Sequence, residues 1–292
     1  MTFTSSYSVG NAPLFRVKVR DTSYVYPSLD DEFFDPKHGS AGLYNPAALM
    51  AHTQGFLFGL EDFNEQKTTV LFVHGIAGTP RDWKYFADGL DRSRFQPFFF
   101  YYPTGLPLDK LGSVLAQMID SLDKNVRNGG SRIVIVAHSL GGLVALSALQ
   151  KLHEDGLPPS LKMFLSLSTP YGGDDEALAW LDRMPVVVPV WRDVATNSDF
   201  LRQLVRKPFP AGLPFHLFFT FKDPSTFKMG ESSDGVVALR SQLEPRVQDM
   251  ATRLHGFNET HGGLLSSKEG RDVFLRLLEA AAPPARTERN AP

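Results

Sequence analysis

Ala137-His138-Ser139-Leu140-Gly141-Gly142 follows the apolar run Ile133-Val134-Ile135-Val136 and precedes a segment with helical patterning, so the stretch reads as strand, sharp turn and helix with a serine at the apex. Such a turn strains the backbone and brings strand and helix close together, which calls for small residues two places before and two places after the apex. Ala137 and Gly141 meet that requirement. The Ser139 hydroxyl is then expected at the C-terminal edge of a sheet, backed by a helix N-terminus whose free amides stabilise negative charge. Ordinary strand-to-helix turns also tolerate small residues around a serine, but the buried-strand flank and the additional Gly142 favour a nucleophile elbow.

Working outward, 70–73 is a short apolar run that ends in His74-Gly75-Ile76-Ala77-Gly78, the pattern of a buried parallel strand followed by a turn. A helix is expected over 81–90 and a second buried strand over 96–102. Leu108, Leu111, Leu115, Met118, Ile119 and Leu122 then recur at helical spacing over 108–126. Beyond the elbow, 143–152 continues its helix and 163–167 is the next strand. This alternation predicts an α/β fold, a mostly parallel twisted sheet with helices on both faces. Ligands of such sheets sit beyond the carboxyl ends of the strands, where both His74-Gly75 and Ser139 fall. From 172 to 213 the alternation stops, and Pro185, Pro189, Pro208 and Pro210 interrupt apolar pieces that include Trp180, Leu181, Met184, Val186 to Val188 and Trp191. That segment reads as a cap inserted over the sheet, with Trp180 and Trp191 as candidate substrate contacts. A strand over 215–221, a polar loop at Asp234-Gly235, and His261-Gly262-Gly263 ahead of a last helix over 267–280 complete the core.

Ahead of the core, Phe15, Val17 and Val19 alternate with Arg16, Lys18 and Arg20, as in a half-buried strand near a sheet edge. Prolines and Gly39 break up 26–42, and Asn45-Pro46 reads as an N-cap with proline at the first helical position of a short helix to about Thr53. The expected division is an N-terminal elaboration over 1–66, an α/β core domain over 67–281 with a cap at about 172–213, and a flexible tail over 282–292.

Composition narrows the function classes. The chain has 292 residues, a formal net charge of −2 and no cysteine. It therefore has no electrostatic reason to bind nucleic acid, and thiol catalysis, thiolate metal sites and disulfides are excluded. No metal or other cofactor is called for. The polar opening 1–10 lacks a basic patch followed by an apolar run, and no stretch approaches the roughly twenty apolar residues that span a bilayer. The chain is expected to be soluble as written, cytoplasmic or exported after trimming of a signal.

A serine hydroxyl needs a neighbouring base, usually a histidine oriented by a carboxylate. Of eight histidines, His138 lies inside the elbow, His74 in the loop after the first core strand, and His38, His52 and His153 too early or on a helix; His216 begins a strand. His261 is the preferred base and His255 the rival. Asp234, in Ser233-Asp234-Gly235-Val236-Val237, is the preferred acid and Asp223 the rival. The carbonyl oxygen that turns negative during acyl transfer needs two aimed amides, and removing one such donor typically costs about 2.7–4 kcal/mol. Leu140 N–H follows the nucleophile, and Ile76 N–H, after the His74-Gly75 turn, is the expected second donor. A phosphate-binding reading of 75–78 fails for want of the lysine and spacing of a P-loop.

Taken in order, Val73-His74-Gly75-Ile76, Ala137-His138-Ser139-Leu140-Gly141-Gly142-Leu143-Val144, Ser168-Thr169-Pro170-Tyr171-Gly172-Gly173, Ser233-Asp234-Gly235-Val236-Val237 and His261-Gly262-Gly263-Leu264-Leu265 resemble the motifs of bacterial lipases and esterases and of the related inositol-deacylase-like branch. The resemblance spans about 70–280. It implies the α/β-hydrolase fold, a Ser139-Asp234-His261 triad in the chain order serine, acid, histidine, an oxyanion hole from Ile76 and Leu140, and hydrolysis of carboxylic esters. Ala137 stands where the first elbow glycine is usual, and Tyr171 where many relatives carry histidine after Thr-Pro. The expected partner is an acyl ester or lipid, handled without a cofactor. The alternatives are an acyltransferase of the same fold and a catalytically silent binding protein.

Overall fold

A computed structural model describes residues 2–9, 12–20, 24–26, 28–124, 132–175, 177, 188–222 and 232–282. Strands β1 (Thr2–Val9) and β2 (Ala12–Arg20) pair antiparallel in a two-stranded sheet of their own, so the alternating 15–20 stretch is a strand as expected but is not an edge of the main sheet. The main sheet has eight strands: β3 (Tyr24–Val25), β4 (Leu57–Gly59), β5 (Thr68–Val73), β6 (Phe95–Phe100), β7 (Arg132–His138), β8 (Leu161–Leu167), β9 (Phe215–Thr220) and β10 (Arg253–Phe257). Their spatial order is β10-β9-β8-β7-β5-β6-β4-β3, and only the β4–β6 pairing is antiparallel.

Why this sheet needs helices on both faces follows from the period of two along each central strand. Leu71 and Val73 of β5 and Ile133, Ile135 and Ala137 of β7 belong to one apolar cluster, whereas Val70, Phe72, Val134 and Val136 belong to the other. The first cluster is closed by helices α4 (Leu108–Lys124) and α5 (Leu140–Asp155), the second by Trp83, Phe86 and, from the C-terminal helix Lys268–Ala281, Phe274 and Leu278. β5 and β7 are adjacent and parallel, with Val73 beside Ala137, so the loops leaving both strands emerge side by side at one edge.

Several local outcomes differ from the pattern. The segment expected as one helix over 81–90 is a 3-10 turn, Pro80–Trp83, followed by the short helix α3, Lys84–Ala87. Thr79 and Asp82 cap each other's backbone in a capping box there, fixing where the segment starts. Helix α1 (Pro36–Tyr44) precedes α2 (Pro46–Thr53) and contains Gly39, which reads as a break in the sequence, as well as Gly42. Gly39 has no room for a side chain, since a Cβ there would collide with Ala77 O and lie 2.6 Å from Gly78 O, both backbone atoms, whereas a Cβ on Gly42 would lie 2.6 Å from Leu49 Cδ2 and require that leucine side chain to shift. Close packing sets these glycines, at a cost of about 1 kcal/mol each in helix propensity.

In the 172–213 segment the described part docks onto the core. The helix Pro189–Val194 buries Val190 and Val194 in the first cluster, Asp193 accepts the Leu108 amide at 2.7 Å, and Trp191 is half-buried against the same cluster. Trp180, Leu181, Met184, Val186 and Val187 lie outside the described residues, as do Asp223 and the 283–292 tail.

Candidate active site

The sharp turn expected at Ser139 is present in the backbone: its φ is 53° and ψ −126°, and α5 begins at the next residue. A non-glycine residue in that region is strained, and such strain persists only where the surroundings enforce it. The enforcement is visible next to it. A Cβ on Gly141 would lie 2.5 Å from His74 O and 2.6 Å from Val73 O, and one on Gly142 would collide with the Thr169 hydroxyl, so the helix can start this close to β5 and to residue 169 only with two glycines. Gly75 presses from the other side, since a Cβ there would be 3.1 Å from that of Ser139.

Three elements then converge on one line. His261, in the loop after β10, places Nε2 2.9 Å from Ser139 Oγ and Nδ1 2.8 Å from Asp234 Oδ2. Because a carboxylate only accepts, Nδ1 carries the proton and Nε2 is left to accept the serine hydroxyl. The main chain reinforces the pairing, with His261 N–H donating to Asp234 O at 3.0 Å. Asp234 itself sits in a tight turn closed by the Ser233–Ala238 bridge, with Gly235 at φ 91°.

Five donors satisfy the buried Asp234 carboxylate. Oδ2 receives His261 Nδ1, Thr220 Oγ1 at 2.7 Å and Gln242 Nε2 at 3.1 Å, while Oδ1 receives the amides of Val236 at 3.0 Å and Val237 at 2.7 Å. Burial pushes such a carboxyl up, but the hydrogen bond and charge of His261, together with the other donors, outweigh it and hold Asp234 below the ordinary carboxylate range. Since the Thr220 hydroxyl spends its single proton on Asp234, the 2.8 Å contact between Ser168 Oγ and Thr220 Oγ1 must have serine as donor. Gln242 also locks Thr220, accepting its N–H at 2.9 Å and donating to its carbonyl at 3.0 Å. None of Thr220, Gln242 or Ser168 was singled out in the sequence; the Ser168-Thr169-Pro170 motif was the one available signal.

Two further histidines support the site without sharing its proton. His138 Nε2 donates to the His261 carbonyl at 3.1 Å, so the His261 peptide is held on both sides. Burial and the nearby His261 pull the His138 imidazole down to about 3, so it stays a neutral donor. His74 donates from Nδ1 to Gly75 O at 2.9 Å, accepts the Tyr102 amide at Nε2 and stacks on the Tyr102 ring; burial pulls it down to about 4. The rival base His255 is on β10 and pairs with His216 at 3.3 Å, away from this line. Among the described residues no backbone carbonyl accepts the Ile76 N–H, and Leu140 is the first residue of its helix, where an amide has no intrahelical partner. Among the described residues no group of three or more His, Cys, Asp or Glu could hold a metal ion, and no helix is long and apolar enough to cross a membrane.

Comparison with known proteins bears on the fold and on the family. Residues 64–177 match the model of a family described as "Putative serine esterase (DUF676)". Bacillus licheniformis lipase BlEst2 in its mature form superposes with a TM-score of 0.59 at 17% identity, over 78% of this chain and 98% of that one. Aspergillus fumigatus lipase B superposes with a TM-score of 0.57 at 16% identity, over 83% and 60%. A Listeria innocua protein, the product of lin2722, does so with a TM-score of 0.54 at 14% identity, over 75% and 96%. No curated protein sequence matches the chain. The fold is that of the α/β hydrolases, and it is shared with lipases and esterases.

Proposed function

We propose that this chain is a serine hydrolase of carboxylic esters that works through an acyl-enzyme on Ser139. The observation that carries the proposal is the unbroken line of hydrogen bonds from Ser139 Oγ through His261 to Asp234, at 2.9 and 2.8 Å. Ser139 Oγ attacks the ester carbonyl carbon as its proton passes to His261 Nε2. The imidazolium is stabilised by Asp234, and the oxyanion takes the amides of Ile76 and Leu140. Collapse of the tetrahedral species breaks the ester C–O bond, and His261 returns the proton to the leaving alcohol. Water then attacks the acyl-enzyme by the same steps, giving the carboxylic acid and free serine. The match to an esterase family and the shared fold with lipases support ester chemistry. The proposed hydrolase domain is 67–281, with 1–66 as an N-terminal elaboration and a cap insertion at about 172–213.

Hydrolysis of p-nitrophenyl esters of graded acyl length tests the proposal. His261→Ala and Asp234→Asn should each lower kcat by orders of magnitude, and the double variant should be little worse than either, because members of such a line act as a unit. Additive losses, or equal loss in His255→Ala, would contradict these roles.

A further inference from the structure

The segment 29–45 lies outside the matched family region, yet it touches the loop that carries the proposed oxyanion donor at several points. Gly39 of α1 rests on the Ala77–Gly78 peptide so closely that a Cβ would collide with Ala77 O and come within 2.6 Å of Gly78 O. Thr79 Oγ1 donates to Phe34 O at 2.9 Å. Arg81 donates to the carbonyls of Leu29, Asp30 and Asp31 at 3.0, 3.1 and 2.8 Å. The other end of α1 is tied to the turn after β6, where Gly105 N–H donates to Gly42 O at 3.2 Å. That turn carries Thr104, 1% exposed, whose Oγ1 accepts the Ala77 amide at 3.1 Å. Ala77 has φ 51°, a left-handed conformation that a non-glycine residue holds only when its surroundings impose it.

These contacts meet at the residue next to Ile76. Helix α1 bears on the Ala77 carbonyl side and Thr104 holds the Ala77 N–H. The Ile76 N–H lies in the preceding peptide plane with the Gly75 carbonyl, which accepts Gly78 N–H at 3.1 Å and His74 Nδ1 at 2.9 Å, so holding Ala77 and Gly78 in place from both sides also holds the plane that carries the Ile76 amide. We propose that Gly39 and Thr104 are positioning residues that aim the Ile76 amide at the reacting oxygen, with α1 as the outer jaw of a clamp and the 103–105 turn as the inner one. This rests on the ester-hydrolase reading, in which Ile76 N–H stabilises the oxyanion. A donor displaced by about 1 Å loses much of its effect, and a misplacement of that size can cost on the order of 100-fold in rate.

The experiment measures kcat, KM and the inhibition constant of an alkyl boronic acid, a tetrahedral-intermediate mimic, for Gly39→Ala, Thr104→Val, Thr104→Ser and the exposed helix control Ser40→Ala. Gly39→Ala and Thr104→Val should lower kcat about 10- to 100-fold with KM changed less than about threefold, and boronate affinity should fall in parallel with kcat. Thr104→Ser, which keeps the acceptor, and Ser40→Ala should stay near wild type. Folded variants whose kcat and boronate affinity remain within twofold of wild type would overturn the clamp. If Gly39→Ala does not fold, the Thr104→Val and Thr104→Ser pair decides alone. A wild-type protein that hydrolyses no ester would overturn the hydrolase reading and the clamp with it, whereas an active wild type with unaffected variants overturns the clamp only.

Discussion

Replacing Thr220 with valine removes one donor from Asp234 while keeping the shape of the side chain. The bond lost is short, 2.7 Å, buried and directed at an ionised carboxylate. Hydrogen bonds to charged groups contribute about 1.5–3 kcal/mol, and one pKa unit corresponds to about 1.36 kcal/mol. Four donors remain to share the charge, so only part of that energy reappears as a shift. With one donor gone, Asp234 is held less far below the ordinary carboxylate range, and the acid limb of the kcat/KM profile should move to higher pH. Activity on the plateau should fall about tenfold, and Thr220→Ser should restore both. Stability changes in the same sense. Asp234 is depressed in the folded protein, so its contribution is present above its unfolded value of 3.8 and is lost as pH falls through the lower folded value. Raising the folded value shrinks that contribution, so the variant should lose its acid resistance at a higher pH. A profile whose acid limb stays where it was, with activity within twofold of wild type, would refute the tuning of Asp234 by Thr220.

Other outcomes follow from the same geometry. His138→Phe keeps a buried ring but loses the bond to the His261 carbonyl, and should lower kcat roughly tenfold with a stability loss of about 1 kcal/mol by chemical denaturation. Gly142→Ala sets a methyl against the Thr169 side chain, 2.7 Å from its Cγ2, and should destabilise the fold by about 1–3 kcal/mol by the same measurement. For substrate, each acyl methylene buried is worth about 0.8 kcal/mol, so kcat/KM should rise from acetate to at least the hexanoate or octanoate ester, and Trp191→Ala should flatten that rise more than it slows acetate hydrolysis. A profile that peaks at acetate and ignores Trp191 would make the half-buried indole part of the core alone.

The elbow could be read from sequence because its constraint is local: a strained apex needs Ala137 and Gly141 beside it whatever the rest of the chain does. The parallel sheet was legible for a similar reason, since runs such as Val70 to Val73 are apolar on both faces. What escaped is set by contacts between distant positions. Nothing near Thr220 or Gln242 announces a carboxylate, because the two meet Asp234 only once β9 and the turn at 233–238 are in place. Helix α1 was hidden by Gly39 and Gly42, poor helix formers whose reason lies in residues 49 and 77–78, although Asp35-Pro36 carries the same N-cap and first-position proline signal as Asn45-Pro46. β10 was missed because four of its five residues are not fully buried, which leaves no apolar alternation to read.

The most direct test of the account is mass-spectrometric mapping of a fluorophosphonate adduct on the wild-type protein and on Ser139→Ala. One adduct per chain on the peptide bearing Ser139, absent from the alanine variant at an essentially unchanged melting temperature, is the predicted result. Full labelling that persists in the variant, or an adduct on any other serine, would contradict Ser139 as the nucleophile.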